Sequence, residues 1–251
     1  MNIALFIIIG FLVGFYIMSV GGGSGAAVYL GILTAVVGLE GSEAISTTLA
    51  ISFPALVLGA FSHYRQGRIN FRLGWRMLLP ALPAVVIGSL ASPFIPNNIY
   101  KVIIGSILAF LGMMILRQVF QRKSNNKAKK TEPHPLIPVG YAIIGGLMVG
   151  ISGLSGGGPV VAGLLIIGLD MVAAAATSSF IMVGMTFTGL IFHPTGNIDW
   201  ANGSGLMIGS LIGAFLAPIL LSRVDTEKFT RIVKPVLGGV LIIMGGVNIF
   251  G

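Results

Sequence analysis

Long stretches of this chain contain no acidic or basic side chain, and such stretches leave few folds open. Residues 77–100, 136–169 and 200–222 each run for more than 20 residues without Asp, Glu, Lys or Arg. An α-helix needs about 20 apolar residues to cross a bilayer, where only helices and closed barrels satisfy the backbone. The chain is 55% hydrophobic and 9% charged, whereas soluble domains carry about 25% charged residues. The sequence predicts an all-α polytopic membrane protein.

Ten apolar segments are predicted, and each is expected to be helical because unpaired backbone groups are costly in lipid. Five precede a polar, basic linker and five follow it. The segments lie at about 3–20, 24–39, 43–62, 72–92, 99–120, 136–154, 158–169, 171–192, 203–221 and 229–250. We therefore divide the chain into a first transmembrane repeat (1–120), a linker (121–135) and a second transmembrane repeat (136–251).

The two halves carry similar residues in the same order, with only short gaps between them. The matched pairs are Gly21–Gly23 with Gly156–Gly158, Thr47-Thr48 with Thr177-Ser178, and segment 63–71 with segment 193–200. Such a pattern indicates an internal repeat of five segments, an architecture that is frequent among transporters.

The distribution of basic residues predicts that the two repeats are inverted. Four arginines crowd the loop after the third segment of the first half, whereas the matching loop at 193–202 has no Lys or Arg. The next loop shows the opposite bias, because 93–100 is uncharged and 222–234 carries four basic residues. Cytoplasmic loops hold the positive charge, so equivalent loops lie on opposite sides. Both termini are then extracytoplasmic, the linker is cytoplasmic, and Lys101 is the one basic residue outside. Orientation explains the net charge of +8, so no nucleic-acid partner is expected.

The second segment of each half is too short to span a membrane. Residues 26–38 and 158–169 would each form about 20 Å of helix, against a hydrocarbon core near 30 Å. We expect short or re-entrant second segments that meet near the midplane at their glycine-rich turns. Bare amides and the positive end of a helix dipole at such a turn favour an anion. Close helix packing is the alternative use of these glycines.

A small oxyanion is the expected substrate because no charged residue falls in the central part of any predicted span, where cation carriers place carboxylates. Backbone amides and hydroxyls would hold it, although a hydroxyl can instead bond its own helix carbonyl. The candidate substrate-binding residues are Gly21, Gly22, Gly23, Ser24, Gly25, Thr47, Thr48, Ser155, Gly156, Gly157, Gly158, Thr177 and Ser178. No metal site, catalytic residue or cofactor is expected.

Two histidines and four aromatic residues stand near predicted helix ends. His63 and His193 occupy matched positions, and a gating or proton-coupling role competes with a capping or interfacial one. The residues expected to anchor the protein at the membrane interface are Tyr64, Trp75, Tyr100 and Trp200.

One short match suggests an enzyme. The stretch from Gly153 to Gly157 fits the G-x-S-x-G pattern of hydrolases, with Ser155 as its serine. In a chain with 37 glycines such a match has little weight. We expect no enzymatic activity.

Taken together, the glycine-rich turn in each half, the Thr-Thr or Thr-Ser pair and the His-x(2–3)-Gly-x-Ile-Asn/Asp-aromatic segment resemble the TauE/SafE family. This is the sulfite and organosulfonate exporter family, also called the toluene-sulfonate uptake permease family. The resemblance implies a carrier in a bacterial or archaeal inner membrane for sulfite, sulfoacetate or other organosulfonates. Export by alternating access follows from it, and a homodimer is a candidate assembly. Pro159 stands where the first half has Ser24, so identical binding by both halves is not expected.

Two other kinds of protein remain open from the residues. A passive anion channel would use the same amides and hydroxyls without alternating access. A metal-cation exporter would need carboxylates or histidines at the midplane, which the predicted topology does not place there.

Overall fold

The computed structural model describes residues 3–20, 25–120, 136–154, 156–193, 197–221 and 226–250, and within these ranges it contains helices and no strand. The ten α-helices are α1 Ile3–Val20, α2 Gly25–Ala35, α3 Gly41–Arg65, α4 Phe71–Ala91, α5 Asn97–Phe120, α6 Ile137–Ser152, α7 Gly157–Ile166, α8 Met171–Phe192, α9 Trp200–Leu221 and α10 Thr226–Phe250. A short 3₁₀ turn, Ser92–Phe94, follows α4. The predicted all-helical fold is confirmed, whereas the linker at 121–135 lies outside the described residues.

The outer surface of the helices is apolar, as a bilayer requires. Many large apolar side chains are exposed, and Phe110, Phe215 and Ile243 are each about two-thirds exposed. Surfaces that face water seldom expose so much apolar area. Among the described helices, Gly41–Arg65, Phe71–Phe94 and Met171–Phe192 are long and apolar enough to cross a membrane. The chain is a multi-pass membrane protein.

The second helix of each half is short, as expected. Helices α2 and α7 have 11 and 10 residues, which gives roughly 15–17 Å of helix. Helix α7 folds back along α6, because Gly156 packs on Gly145 near the turn and Gly163 packs on Tyr141 further along. Helices α6 and α7 therefore form an antiparallel hairpin, and the end of α7 lies beside the start of α6.

The helices of the two halves are interleaved. The first helix of each half packs on the fourth helix of the other: α1 on α9, and α6 on α4. The third and fifth helices pack on their own counterparts, α3 on α8 and α5 on α10. Glycines allow backbones to touch at these contacts, namely Gly10 and Gly14 of α1 against Leu206 and Ser210, and Gly146 and Gly150 of α6 against Ala81 and Val85.

The interfacial aromatic residues divide into two groups. Tyr64, Trp75 and Trp200 are each at least half exposed, in keeping with an interfacial position. Tyr100 is 2% exposed, so the expectation of an interfacial anchor is wrong for this residue. Its ring packs on Gly41, and its hydroxyl donates to the carbonyl oxygen of Ile151.

Candidate functional site

Two hydrogen bonds join the halves in the same way. The Thr47 hydroxyl of α3 accepts from the backbone N–H of Asp199, and the Thr177 hydroxyl of α8 accepts from the backbone N–H of Asn70, each at 3.0 Å. Both threonines are fully buried. The sequence pairs Thr47 with Thr177 and Asn70 with Asp199, so each half holds the other through equivalent atoms.

The chain can approach these threonines because α4 and α9 begin in the same way. The Asn70 side chain caps α4 by accepting from the Leu73 N–H, and the Asp199 side chain accepts from the Asn202 N–H at the start of α9. One turn later each helix has a glycine, Gly74 or Gly203. A Cβ on Gly203 would lie 3.1 Å from the Thr47 methyl, and a Cβ on Gly74 would lie 2.8 Å from the Phe180 ring. Larger residues would therefore crowd both contacts.

The two threonines lie at opposite ends of an antiparallel helix pair. Leu49 of α3 lies against Gly189 of α8, close to the end of α8. Thr177 precedes Gly189 by twelve residues, or roughly 18 Å along an α-helix. The loop before α9 therefore meets the start of α3, and the loop before α4 meets the start of α8, at the other end.

The candidate hydroxyls on α3 and α8 are buried, and they differ in their bonding. Thr48 and Ser178 are at most 2% exposed. The Thr48 hydroxyl has no hydrogen-bond partner among the described residues, and the neighbouring Ser46 hydroxyl has none either. By contrast, Ser52 and Ser179 bond carbonyls of their own helices. A buried, unpaired hydroxyl is costly, so the start of α3 has polar capacity that a ligand could satisfy.

The glycine-rich turns are described only in part. Gly21–Gly23, Ser24 and Ser155 lie outside the described residues, and Gly25 is buried at the start of α2. Gly156, Gly157 and Gly158 form the start of α7. A Cβ on Gly156 would overlap the carbonyl oxygen of Gly145, whereas a Cβ on Gly158 would meet nothing within 4 Å.

The glycines at the start of α7 do not have positive φ, and Gly156 has φ −68°. Positive φ falls on Gly153 instead, with φ 61°, where it ends α6. A left-handed residue commonly ends a helix in this way. Gly153 also packs on Ile45, since a Cβ there would lie 2.8 Å from the Ile45 side chain.

This contact brings the second-half turn to the first-half hydroxyls. Ile45 directly precedes Ser46 and lies within one helical turn of Thr48. The hydroxyls at the start of α3 therefore lie beside the turn that leads into α7. The first amides of α7 have no partner within that helix and carry its positive dipole end. Sequence reasoning missed Ser46 and Gly153 because neither has an identical counterpart in the other half.

The two histidines differ in burial. His193 ends α8, is 5% exposed, and neither of its ring nitrogens has a partner among the described residues. Burial lowers the pKa of His193 to about 4. His63 is less buried, and its Nδ1 atom also has no partner there. Asp199, which follows His193 by six residues, donates to the Thr47 hydroxyl. His193 therefore lies at the same end of α8 as Thr47.

The buried polar side chains of the described residues are uncharged at neutral pH. They are hydroxyls, one imidazole and one amide: Ser46, Thr47, Thr48, Ser52, Ser89, Ser92, Ser152, Thr177, Ser178, Ser179, Thr186, His193, Ser210 and Asn248. Hydroxyls and backbone amides can donate hydrogen bonds to an anion.

A multi-pass helical chain that buries polar, uncharged residues between its helices has an arrangement that membrane transporters use. The comparisons with known proteins identify the kind: the chain belongs to the TauE family, whose model, described as "Sulfite exporter TauE/SafE", matches residues 6–247. Probable membrane transporter protein YdhB of Bacillus subtilis (strain 168) is 25% identical over 242 residues, covering 93% of this chain and 92% of the relative.

Two further relatives are more distant. Probable membrane transporter protein YjnA of the same organism is 23% identical over 230 residues, covering 86% of this chain and 89% of the relative. Undecaprenyl-diphosphatase 2 of Clostridioides difficile (strain 630) is 25% identical over 182 residues, but the match covers only 61% of that protein. No solved structure matches the chain significantly.

Proposed function

We propose that this protein is a carrier that exports small sulfur-containing oxyanions, such as sulfite, sulfoacetate or other organosulfonates, across a bacterial or archaeal cell membrane. The description of the family as a sulfite exporter supports both the substrate class and the direction. The two Bacillus subtilis relatives, which match nearly end to end, support transport rather than catalysis.

The observation that carries the proposal is the reciprocal pair of hydrogen bonds, Thr47 to Asp199 and Thr177 to Asn70. A pseudo-two-fold axis in the membrane plane would relate these bonds and would place them at opposite ends of the α3–α8 pair. The proposed topology agrees, because the arginine-rich loop before α4 is cytoplasmic in it and the loop before α9 is extracytoplasmic. Inverted halves of this kind can rock against each other to expose one site alternately on each side.

The proposed substrate site lies where the start of α3 meets the turn between α6 and α7. Ser46 and Thr48 would donate hydroxyl hydrogen bonds to the oxyanion, and the amides of Gly157 and Gly158 would add theirs from the start of α7. Ser178, which follows Thr177 as Thr48 follows Thr47, and the turn at 21–25 would form the equivalent half-site. A hydrogen bond to a charged group contributes about 1.5–3 kcal/mol, so a few such donors suffice for a transported substrate.

Sulfite counterflow tests the proposal. Purified protein in vesicles preloaded with unlabelled sulfite should accumulate labelled sulfite transiently, because a carrier exchanges substrate across the membrane. Uptake that merely follows the gradient would indicate a channel, and sulfite exchange equal to that of protein-free vesicles would refute oxyanion transport.

A matched pair of variants tests the site. Thr48→Val keeps the shape of the side chain but removes an unpaired hydroxyl, so sulfite affinity should fall by at least tenfold, or about 1.4 kcal/mol. Ser52→Ala removes a buried hydroxyl that bonds the Thr48 carbonyl at 2.7 Å, one turn further along α3, and should leave affinity nearly unchanged. Equal affinities in the two variants would move the site away from the start of α3.

A further inference from the structure

A polar cleft of about 380 Å³ opens between the end of α2, the starts of α3 and α5, and the end of α10. Ligand pockets in proteins typically measure about 300–1,000 Å³. The polar side chains that line the cleft are Thr34, Glu40, Asn97, Asn98, Lys101 and Asn248. None of them belongs to the substrate site proposed above.

Two opposite charges face this cleft without pairing. Glu40 precedes α3, and its carboxylate does not cap that helix. Lys101 lies in the first turns of α5 and is the one basic residue that the proposed topology leaves outside the cytoplasm. Neither side chain has a hydrogen bond or an ion pair among the described residues. Both charges are therefore available to a ligand.

The starts of α3 and α5 are held together, so the two charges share one cleft. The Tyr100 ring packs on Gly41, where a Cβ would lie 2.7 Å from a ring carbon. The Tyr100 hydroxyl also meets the Ser92 hydroxyl at 2.8 Å. Gly38, with φ 79°, turns the chain between α2 and α3 two residues before Glu40.

The amides supply further polar contacts. Asn248 is 6% exposed although it lies in the apolar helix α10. Its Nδ2 donates to the Met244 carbonyl at 2.9 Å, and among the described residues its Oδ1 accepts no hydrogen bond. Asn97 and Asn98 are exposed at the start of α5. The cleft thus offers one cation, one anion, and neutral donors and acceptors.

We propose that this cleft binds a small zwitterion of the amino-acid type, with its oxyanion at Lys101, its ammonium at Glu40 and its remaining polar atoms at Asn97 and Asn248. A simple anion would be repelled by Glu40, and a simple cation by Lys101, whereas a zwitterion pairs with both. No residue of the proposed substrate site lines the cleft, so its ligand does not depend on what that site transports.

Three probes of similar size test this assignment: β-alanine carries both charges, propionate only the negative one, and propylamine only the positive one. Calorimetric titration of the full-length protein in nanodiscs should show β-alanine binding at least tenfold more tightly than either of the others. Equal binding of propionate would show an anion site, equal binding of propylamine a cation site, and absence of binding by all three would show merely solvated charges. Each of these outcomes overturns the proposal.

Variants with matched controls assign the two charges. Lys101→Gln should weaken β-alanine at least tenfold and abolish its advantage over propylamine, and Glu40→Gln should abolish its advantage over propionate. Arg117→Gln removes an exposed charge from the same helix, roughly 24 Å away, and Glu43→Gln removes one from the first turn of α3. Neither control lines the cleft, so β-alanine affinity should be unchanged in both. Equal losses in cleft variants and controls, or no loss in the cleft variants, would refute the proposed contacts.

Sulfite counterflow, measured in vesicles reconstituted with the same purified proteins, separates the two proposals. A protein that exchanges sulfite but binds no β-alanine refutes only the cleft. A protein that binds β-alanine but exchanges no sulfite refutes only the proposed transport.

Discussion

Replacing Thr47 with Val removes the acceptor of the Asp199 N–H but keeps the methyl group that packs on Gly203. The hydrogen bond is 3.0 Å long and partly buried. An N–H left unpaired in such a place costs roughly 1–2 kcal/mol. For a chain of this size each kcal/mol lowers the melting temperature by about 2–4 °C, so Thr47→Val should melt roughly 2–8 °C below the wild type. Thr177→Val should show a similar loss, because its bond to Asn70 has the same length.

The assay is thermal unfolding of purified protein in detergent, followed by size-exclusion chromatography of the heated samples. Thr188→Val is the control, since the Thr188 hydroxyl only donates to the Gly184 carbonyl of its own helix, at 2.9 Å. Thr47 and Thr177 lie more than 10 Å apart, so the losses should add in the double variant to within about 0.5 kcal/mol. If Thr47→Val and Thr177→Val melt like Thr188→Val, the two bonds do not hold the halves together.

Two further predictions follow from the glycine turn and the buried histidine. Gly156→Ala should reduce the yield of folded protein, because its Cβ would overlap the Gly145 carbonyl, whereas Gly158→Ala should fold and melt like the wild type. Size-exclusion profiles compare the two variants. Equal yields of folded protein would contradict the close contact of Gly156 with Gly145. His193 has a pKa of about 4 in the folded protein against an ordinary value of 6.5. The unfolded chain therefore binds more protons in this window, and stability should fall as pH falls from 6.5 to 4. The melting temperature should depend less on pH in this range for His193→Gln than for the wild type. The same dependence in both proteins would show that His193 is not the group responsible.

The helices could be predicted from sequence because lipid permits little else. Apolar runs place all ten of them, and the boundaries of α3 and α8 differ from the predicted ones by at most three residues. The short second helices were also predictable, since α7 cannot exceed the distance between the glycine run and the next turn at Gly168. Length and hydropathy decide these features locally.

The contacts between the halves could not be predicted in the same way. The sequence matches Thr47 with Thr177 but does not show that each accepts from the opposite half, at Asp199 and Asn70. Nor does it show that Gly153, rather than Gly156, takes the left-handed conformation. A run of glycines offers several positions for a turn, and packing on Ile45 selects one of them. The cleft at Lys101 likewise depends on three chain segments that are far apart in sequence, namely 34–41, 97–104 and the end of α10.

Cysteine labelling tests the inverted arrangement of the halves most directly, and the natural chain contains no cysteine. Single cysteines at Gln66, Asn126 and Asn197 would be exposed to a membrane-impermeant thiol reagent on intact cells, with labelling of opened cells as the control for reactivity. The inverted arrangement predicts labelling of intact cells at position 197 only, because the loop before α9 is extracytoplasmic and the loop before α4 and the linker are cytoplasmic. Labelling of intact cells at both 66 and 197 would place the matched loops on one side and contradict it.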